Sequence, residues 1–504
     1  MNDRGPALLH RLTLAAALGS AALAIPALAG PAPATTQEYR QQGEAELETR
    51  LRTDQRPDKA RNVIIFIGDG MGVSTLTAAR ILAGETAGTG EAFAAAMDGL
   101  DHTALVKTYS HDGQVPDSAP TATAIMAGVK TRNGMIGVGP ETVLNDCSSA
   151  LTHPVPSLIA IAQQAGLATG IVTTTGITHA TPAAAYAHTP QRDWESDATM
   201  PAEALAQGCS DIARQMIEGP VGANLDIILG GGRSAFLPQT ARDPEYDGKT
   251  GARKDGRDLI AAWRAANPTG TFAWNADQFA EYDPAGGTRL LGLFEPVHMQ
   301  YEADRANDGA GEPSLAEMTE LAITRLAHGG QGFVLLVEGG RIDHAHHAGN
   351  AYRALTDAAA LDAAVARALE LGDLDETLIV TTADHSHTLT MGGYPGRGNP
   401  ILGVVASGDA EPARAGDGKA YTTLGYINGP GARHPGERPD PADEDTLAPD
   451  YLQQAMVPLA SETHGGEDVV ARASGPGAHL FRGTIEQHTI FYILRQALWG
   501  GEQP

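Results

Sequence analysis

Asp343, His344, His346 and His347 crowd the end of one stretch, Gly332 to Gly349, which reads GFVLLVEGGRIDHAHHAG. If the segment from Ile342 is helical, Asp343 and His347 are four apart and share one face. A carboxylate and an imidazole so placed can ligate one metal ion, and zinc suits that pair of ligand types. The residues before them show how they would be held. Phe333 to Val337 is a continuous apolar run, as expected of a parallel strand buried on both faces. It breaks at Glu338-Gly339-Gly340. Ligands released at the carboxyl end of such a strand stand where open α/β sheets place their sites. The alternative reading is a solvated loop after a strand.

The pattern of strand followed by ligand-type residue recurs. Val63 to Ile67 runs into Gly68-Asp69-Gly70, whose glycines permit close approach, and a helix follows over Ser74–Leu82. Thr377 to Thr382 runs into Ala383-Asp384-His385-Ser386-His387. Ala168 to Thr173 leads to Thr178-His179-Ala180-Thr181-Pro182, and His464 lies in a polar loop. Ser118 stands where a helix over Ala119–Ala127 begins, with Pro120 in its first turn. Two roles fit Ser118: a helix cap, or a nucleophile at the positive end of a helix dipole, a good place for a phosphate. Arg192 is either a surface residue or a planar fork for phosphate or carboxylate.

Further strands are expected over Ala104–Tyr109 and Asp226–Leu229. Helices are expected over 156–165 and over Ile485–Trp499, where Ile485, Thr489, Ile490, Ile493, Leu494 and Leu498 fall on one face. The alternation of buried strands with helices predicts an α/β fold, three layers α/β/α around a large, mostly parallel sheet. Residues 233–313 read as a polar excursion from that sheet. Glu245, Glu295 and Glu312 within it are either solvated carboxylates or oxygen ligands for a hard cation such as calcium. Residues 391–461, rich in Gly and Pro, read as an insertion with β-like pieces at 401–406 and 421–427.

The 504 residues suffice for one large α/β domain with insertions or for two domains. A net charge of −26 argues against nucleic acid and anionic membranes as partners. Residues 1–29 read as a secretory signal: Arg4 and Arg11, an apolar run from Leu12 to Ile25, then Ala27-Leu28-Ala29. A membrane anchor is the rival reading, weakened by Gly19, Ser20 and Pro26. The last residues, Trp499 to Pro504, are no hydrophobic tail, so no membrane anchor is expected there either. The expected compartment is therefore periplasmic or extracellular. Residues 30–60 form an arm, mobile or helical, able to cover the body or a second subunit. The two cysteines, Cys147 and Cys209, are expected to pair in an exported chain, with two buried thiols as the alternative.

Five motifs together make the chain resemble the alkaline phosphatase family over nearly its whole mature length. They are Glu338-Gly-Gly-Arg-Ile-Asp-His-Ala-His-His347, Pro116-Asp117-Ser118-Ala119, Thr178-His-Ala-Thr-Pro182, Ala383-Asp-His-Ser-His387 and Glu462-Thr-His-Gly-Gly-Glu-Asp468. The details are similar to the animal type. His179 and His344 stand where the best-known enteric bacterial type has Asp and Lys. Cys147 and Cys209 fall where the animal enzymes place a disulfide.

The resemblance implies two zinc ions, one magnesium ion and phosphate monoesters as substrates. One zinc would take Asp343, His347 and His464. The other would take Asp69, Asp384, His385 and, in the free enzyme, the Ser118 oxygen. Magnesium would take Asp69, Thr181 and Glu338, with His179 near it. Ser118 would be the nucleophile, passing through a phosphoserine, and Arg192 the phosphate fork. A calcium site is implied from Glu245, the Phe294 carbonyl, Glu295 and Glu312, although the family carries Asp at the last position and the loop before it is longer here. A catalytic domain is then expected over 61–394 and 462–504, a crown-like subdomain over 395–461, and a homodimer is admissible. A sulfatase or phosphodiesterase of the same superfamily is the nearest rival. A secreted calcium-dependent binding protein is the rival from another class.

Overall fold

The computed structural model describes residues 35–51, 59–408, 410–433 and 438–502. The signal segment expected at 1–29 lies outside them. The strands in chain order are β1 (Asn62–Gly68), β2 (His102–Lys107), β3 (Ala168–Gly176), β4 (Ile227–Gly231), β5 (Thr271–Ala273), β6 (Leu290–Leu293), β7 (Phe333–Gly339) and β8 (Thr377–Ala383), then β9 (Ser386–His387), β10 (Leu389–Met391), β11 (Leu424–Gly429), β12 (Ala455–Pro458), β13 (His464–Gly465), β14 (Val469–Ser474) and β15 (Gly483–Glu486). Ten form one sheet in the order β15-β2-β14-β8-β1-β7-β3-β4-β6-β5. In this sheet β14 runs antiparallel to both its neighbours. Every other pairing in it is parallel. The sheet is thus mostly parallel, as expected.

Val63–Ile67 and Phe333–Val337 are fully buried because helices cover both faces. Helix α1 (Thr36–Leu51) is the arm, and it packs on the last helix, Thr489–Trp499. Helix α2 (Val73–Ala87) packs with Ala351–Leu371 and, through it, Leu315–His328 on one side of the sheet. Helix α3 (Ser118–Ala127) packs with Leu158–Gln164 and Thr489–Trp499 on the other. None of the described helices is long and apolar enough to cross a membrane.

Register sets the level of the site. Gly68 pairs with Gly339 on one side and Ala383 on the other. Asp69 and Asp384 therefore leave adjacent strands at the same height. The two-stranded ladder β9–β13 pairs His387 with His464 and brings the late-chain histidine to that edge.

Three expectations need correction. Residues 233–313 are no excursion from the sheet, because β5 and β6 within them extend it beyond β4. These strands are too short to give a periodic signal. The last helix begins at Thr489, and Ile485 lies in β15 opposite Val106. Ile485 and Thr489 are four apart, so helical spacing alone could not separate the two elements. Residues 401–406 form no strand: Gly403 N–H turns back to the Pro400 carbonyl, and Val404 makes one isolated bridge to Thr422.

Cys147 and Cys209 are joined in a disulfide with Cα atoms 5.8 Å apart, packed with Trp194, Met200 and Ala204. Closing a loop with a sequence separation of 62 stabilises the fold by roughly 4 kcal/mol in the chain-entropy model.

Candidate functional site

Ser118 is the first residue of α3, and the cap is Asp117, whose carboxylate accepts from Ala119 N–H. That leaves the Ser118 hydroxyl free of the capping role. Its Oγ lies 3.2 Å from Asp69 Oδ1 and 3.1 Å from His385 Nε2. Asp384 accepts from Gly70 N–H and from Thr121 Oγ1, which orients it toward His385, 3.2 Å away. Gly70 has φ 70°, and a Cβ there would stand 2.4 Å from the His387 ring, so only glycine lets that ring approach.

A second group gathers on Asp343. The helix Arg341–His347 puts Asp343 and His347 on one face, with His347 Nε2 3.4 Å from Asp343 Oδ1. His464 Nε2 lies 3.3 Å from the same oxygen and 3.1 Å from His347 Nε2. A carbonyl fixes each ring from behind, Glu462 O for His347 Nδ1 and Pro116 O for His464 Nδ1. These bonds put the proton on Nδ1 and leave Nε2 as a lone pair. Two lone pairs then face one another with no proton between them.

The third group is Asp69, His179 and Glu338, whose ligand-type atoms lie within 4.8 Å of one another. Glu338 Oε1, Thr181 Oγ1 and His179 Nδ1 are buried there without a hydrogen-bond partner. Arg192 reaches across, its Nη1 3.3 Å from Asp117 and its Nη2 3.0 Å from His179 Nε2.

Electrostatics repeat the geometry. Burial, then the charges of Asp384, Asp343 and Glu338, push Asp69 well above the carboxylate range. Burial pushes Glu338 up to about 7 against the Thr173 hydroxyl. Burial also works on Asp343, but the hydrogen bond and charge of the His387 imidazole outweigh it and hold it low. On the flank, burial lowers His179 well below the usual value and His344 to about 4, which keeps both rings neutral.

A family model described as alkaline phosphatase matches residues 60–499. The chain belongs to the alkaline phosphatase family. It is 45% identical over 468 residues to the rat tissue-nonspecific isozyme, covering 91% of this chain and 88% of that one. It is 45% identical over 497 residues to the chicken tissue-nonspecific isozyme, covering 96% and 93%. Among solved structures, the alkaline phosphatase of Thermus thermophilus superposes with a TM-score of 0.62 at 26% identity, covering 88% of this chain and 92% of that one. The enzyme of the Antarctic bacterium TAB5 shares the fold, with a TM-score of 0.60, 24% identity and coverage of 87% and 98%. A variant of the TAB5 enzyme carries Mg in its M3 site. The reaction class of this alkaline phosphatase is phosphoric monoester hydrolysis.

Metal ions fit all three groups of this alkaline phosphatase. Opposed lone pairs, orphaned oxygens and mutually repelling carboxylates are what a cation would satisfy. Two residues of the site went unassigned from sequence, His387 and Glu462. His387 Nε2 bonds Asp343 Oδ1 at 2.7 Å, and its Nδ1 bonds Glu462 Oε2 at 2.5 Å. Both sit inside the motifs quoted above.

The outlying carboxylates gather differently from expectation. Glu245, Glu295 and Asp308 bring ligand-type atoms within 4.8 Å of one another, and Glu312 is not part of that trio. Glu312 Oε1 accepts from Gln300 N–H at 2.9 Å, and the Phe294 carbonyl accepts from Arg233 Nη1 at 3.0 Å. Glu245 Oε1, Asp308 Oδ2 and Glu312 Oε2 are buried with no partner. Burial, then the adjacent Asp308 carboxylate, pushes Glu245 up to about 7.

Proposed function

We propose that this alkaline phosphatase hydrolyses phosphate monoesters through a phosphoserine on Ser118. The observation that carries the reading is the Ser118 hydroxyl, released from capping by Asp117 and buried between Asp69 and His385. Asp343, His347 and His464 would hold one zinc, and Asp69, Asp384 and His385 the other, with the Ser118 oxygen in the free enzyme. Asp69, Thr181 and Glu338 would hold magnesium, His179 standing beside them. Bound there, these ions would lower the pKa of the Ser118 hydroxyl and of water and neutralise charge on the phosphoryl and leaving oxygens.

The chain's own residues supply the rest. Arg192 offers two parallel N–H donors to phosphate oxygens. The α3 N-terminus adds its positive end at the same point. Ser118 Oγ attacks phosphorus, the bond to the alcohol oxygen breaks, and the alcohol leaves with a proton. Water then attacks the phosphoserine, returning the serine and inorganic phosphate. Recognition falls on the phosphoryl group, so broad monoester specificity is expected.

Export to the periplasm or beyond is part of this reading, supported by the Cys147–Cys209 disulfide, which an oxidising compartment preserves. A homodimer is also part of it, supported by exposed Met391, Ile427, Met456 and Val457 on the small sheet β10–β11–β12. A calcium ion among Glu245, Glu295, the Phe294 carbonyl and Glu312 belongs to it too, with Asp308 drawn in.

The decisive experiment is Ser118→Ala with acid trapping of labelled phosphate. Turnover should fall by several orders of magnitude while zinc and magnesium stay bound, and only the wild type should carry label, on Ser118. Label on any other residue would sink the assignment.

A further inference from the structure

His298 stands alone in its loop, in none of the motifs. The structure nonetheless brings its ring against the site. Its centroid is 4.3 Å from that of His344 and 5.6 Å from that of His179, which are 5.3 Å from each other. The loop carrying it returns from β6 across the ends of β3 and β4. Met299 N–H bonds the Thr174 carbonyl at 3.0 Å. The Val297 carbonyl passes so close that a Cβ on Gly176 or Gly231 would meet it at 2.9 or 2.6 Å.

His298 acts on the site by two routes. First, Gly176 N–H donates to His298 Nδ1 at 3.0 Å, while the Gly176 carbonyl accepts from His179 N–H at 2.8 Å. Gly176 is thus gripped on both sides, at the start of the turn that carries His179 and Thr181. Second, the ring lies on His344. The same loop steadies His344 again through Tyr301, whose ring lies 3.7 Å beneath the Arg341 guanidinium. Arg341 Nη1 in turn donates to His344 Nδ1 at 2.9 Å.

The tautomers follow from the donors. A backbone N–H and an arginine can only donate. His298 Nδ1 and His344 Nδ1 are therefore acceptors, and each ring carries its proton on Nε2. His179 Nε2 accepts from Arg192, so its proton is on Nδ1. Three uncharged imidazoles wall this flank, each held in one tautomer.

We infer that His298 is a positioning residue: through Gly176 and His344 it sets the turn bearing Thr181 and the neutral wall beside Asp69 and Glu338, and so tunes magnesium affinity. The inference rests on the magnesium assignment above. Groups that orient the ligands of an ion, without touching it, typically change its affinity by about 10- to 100-fold.

The test is magnesium titration calorimetry on the zinc-loaded protein, with zinc measured by elemental analysis. His298→Ala should weaken magnesium binding by about tenfold or more with zinc content unchanged. His298→Asn, whose amide oxygen can still accept from Gly176 N–H, should recover most of the loss. Unchanged magnesium affinity in the Ala variant would overturn the inference. So would parallel loss of zinc and magnesium, or an Asn variant as weak as Ala. Glu338→Gln tests the underlying assignment separately. Magnesium binding indifferent to that change would remove the assignment, and this inference with it.

Discussion

Two regions of the molecule crowd carboxylates together, and they are built on different principles. In the central site Asp69 and Asp384 leave β1 and β8, and Glu338 stands one residue before the end of the neighbouring β7, opposite Ile67, the three strand ends being level by register. Their positions are fixed by the sheet, and imidazoles interleave with them. In the outlying cluster Glu245 and Asp308 come from loops, and Glu295 stands two residues beyond β6. No imidazole intervenes there. One guanidinium, Arg233, serves Asp243 and Glu245 and also the carbonyls of Leu293 and Phe294. A strand end can hold ligands in one geometry for chemistry. A loop cluster mainly ties segments together when a cation fills it.

The difference can be broken most forcefully by removing one carboxylate from each region. Asp343→Ala should lower kcat/KM by about a thousandfold or more, since a lost Lewis-acid clamp costs several kcal/mol and each ~1.4 kcal/mol is tenfold. Glu245→Gln should leave kcat/KM within about twofold, because its ionic partner is Arg233 rather than any residue of the central site. Its signature should be a melting temperature that no longer rises with added calcium. A collapse of activity in Glu245→Gln with the fold intact would erase the distinction.

The outlying cluster also shows where sequence ran out. Asp69, Glu338 and Asp384 are legible because each stands at the end of an apolar run, and strand ends in a parallel sheet converge whatever the loops do. His179, Thr181 and His385 stand in short motifs that turn at once after a strand, and His464 lies in the ladder β9–β13 itself. His387 and Glu462 were present in those motifs but lacked a role until the ladder β9–β13 paired them with the site. Glu312 was expected from its place in the family pattern, yet Asp308 is the residue that joins Glu245 and Glu295. A loop of different length carries no register, so its carboxylates cannot be placed by counting. His298 gave no signal, because a single histidine in a loop is uninformative until the loop's path is known. β5 and β6 escape for the related reason that strands of three and four residues barely register in a hydrophobic pattern.

That ambiguity gives the next prediction. If Asp308 is a ligand, Asp308→Asn should weaken calcium binding by about tenfold or more, and Glu312→Gln by less. In chelator the sign should reverse. Asp308 Oδ2 has no donor and faces other carboxylates, so removing its charge should leave stability unchanged or raise it by ~1 kcal/mol. Thermal melts with chelator and with calcium read both signs. An Asp308→Asn variant identical to wild type in both conditions would hand the role back to Glu312.

The last prediction concerns acid. Both carboxylate regions lose charge at low pH, so acid lability alone cannot be assigned to either. A third group must be separated from them. His488 is fully buried between the arm and the last helix, its ring 5.4 Å from Tyr39 and 6.4 Å from Tyr492. Neither ring nitrogen has a partner. Burial, then the Lys130 charge, lowers it to about 3, and Glu486 opposes that only in part. The folded state therefore holds it neutral, while the unfolded chain protonates it below about 6.5. Its contribution to stability is complete above that pH and is lost as pH falls toward 3, at about 1.4 kcal/mol per pH unit. His488→Phe keeps a ring in the space and removes the titration. At pH 8 the variant should equal the wild type or exceed it by ~1 kcal/mol, since two orphaned nitrogens are gone. Between pH 6.5 and 5 its stability should decline less steeply, by about 2 kcal/mol over the interval. Urea melts across that range, with zinc, magnesium and calcium held saturating, isolate this slope from the carboxylate regions. Parallel curves for the two proteins would mean that acid acts through the carboxylates alone.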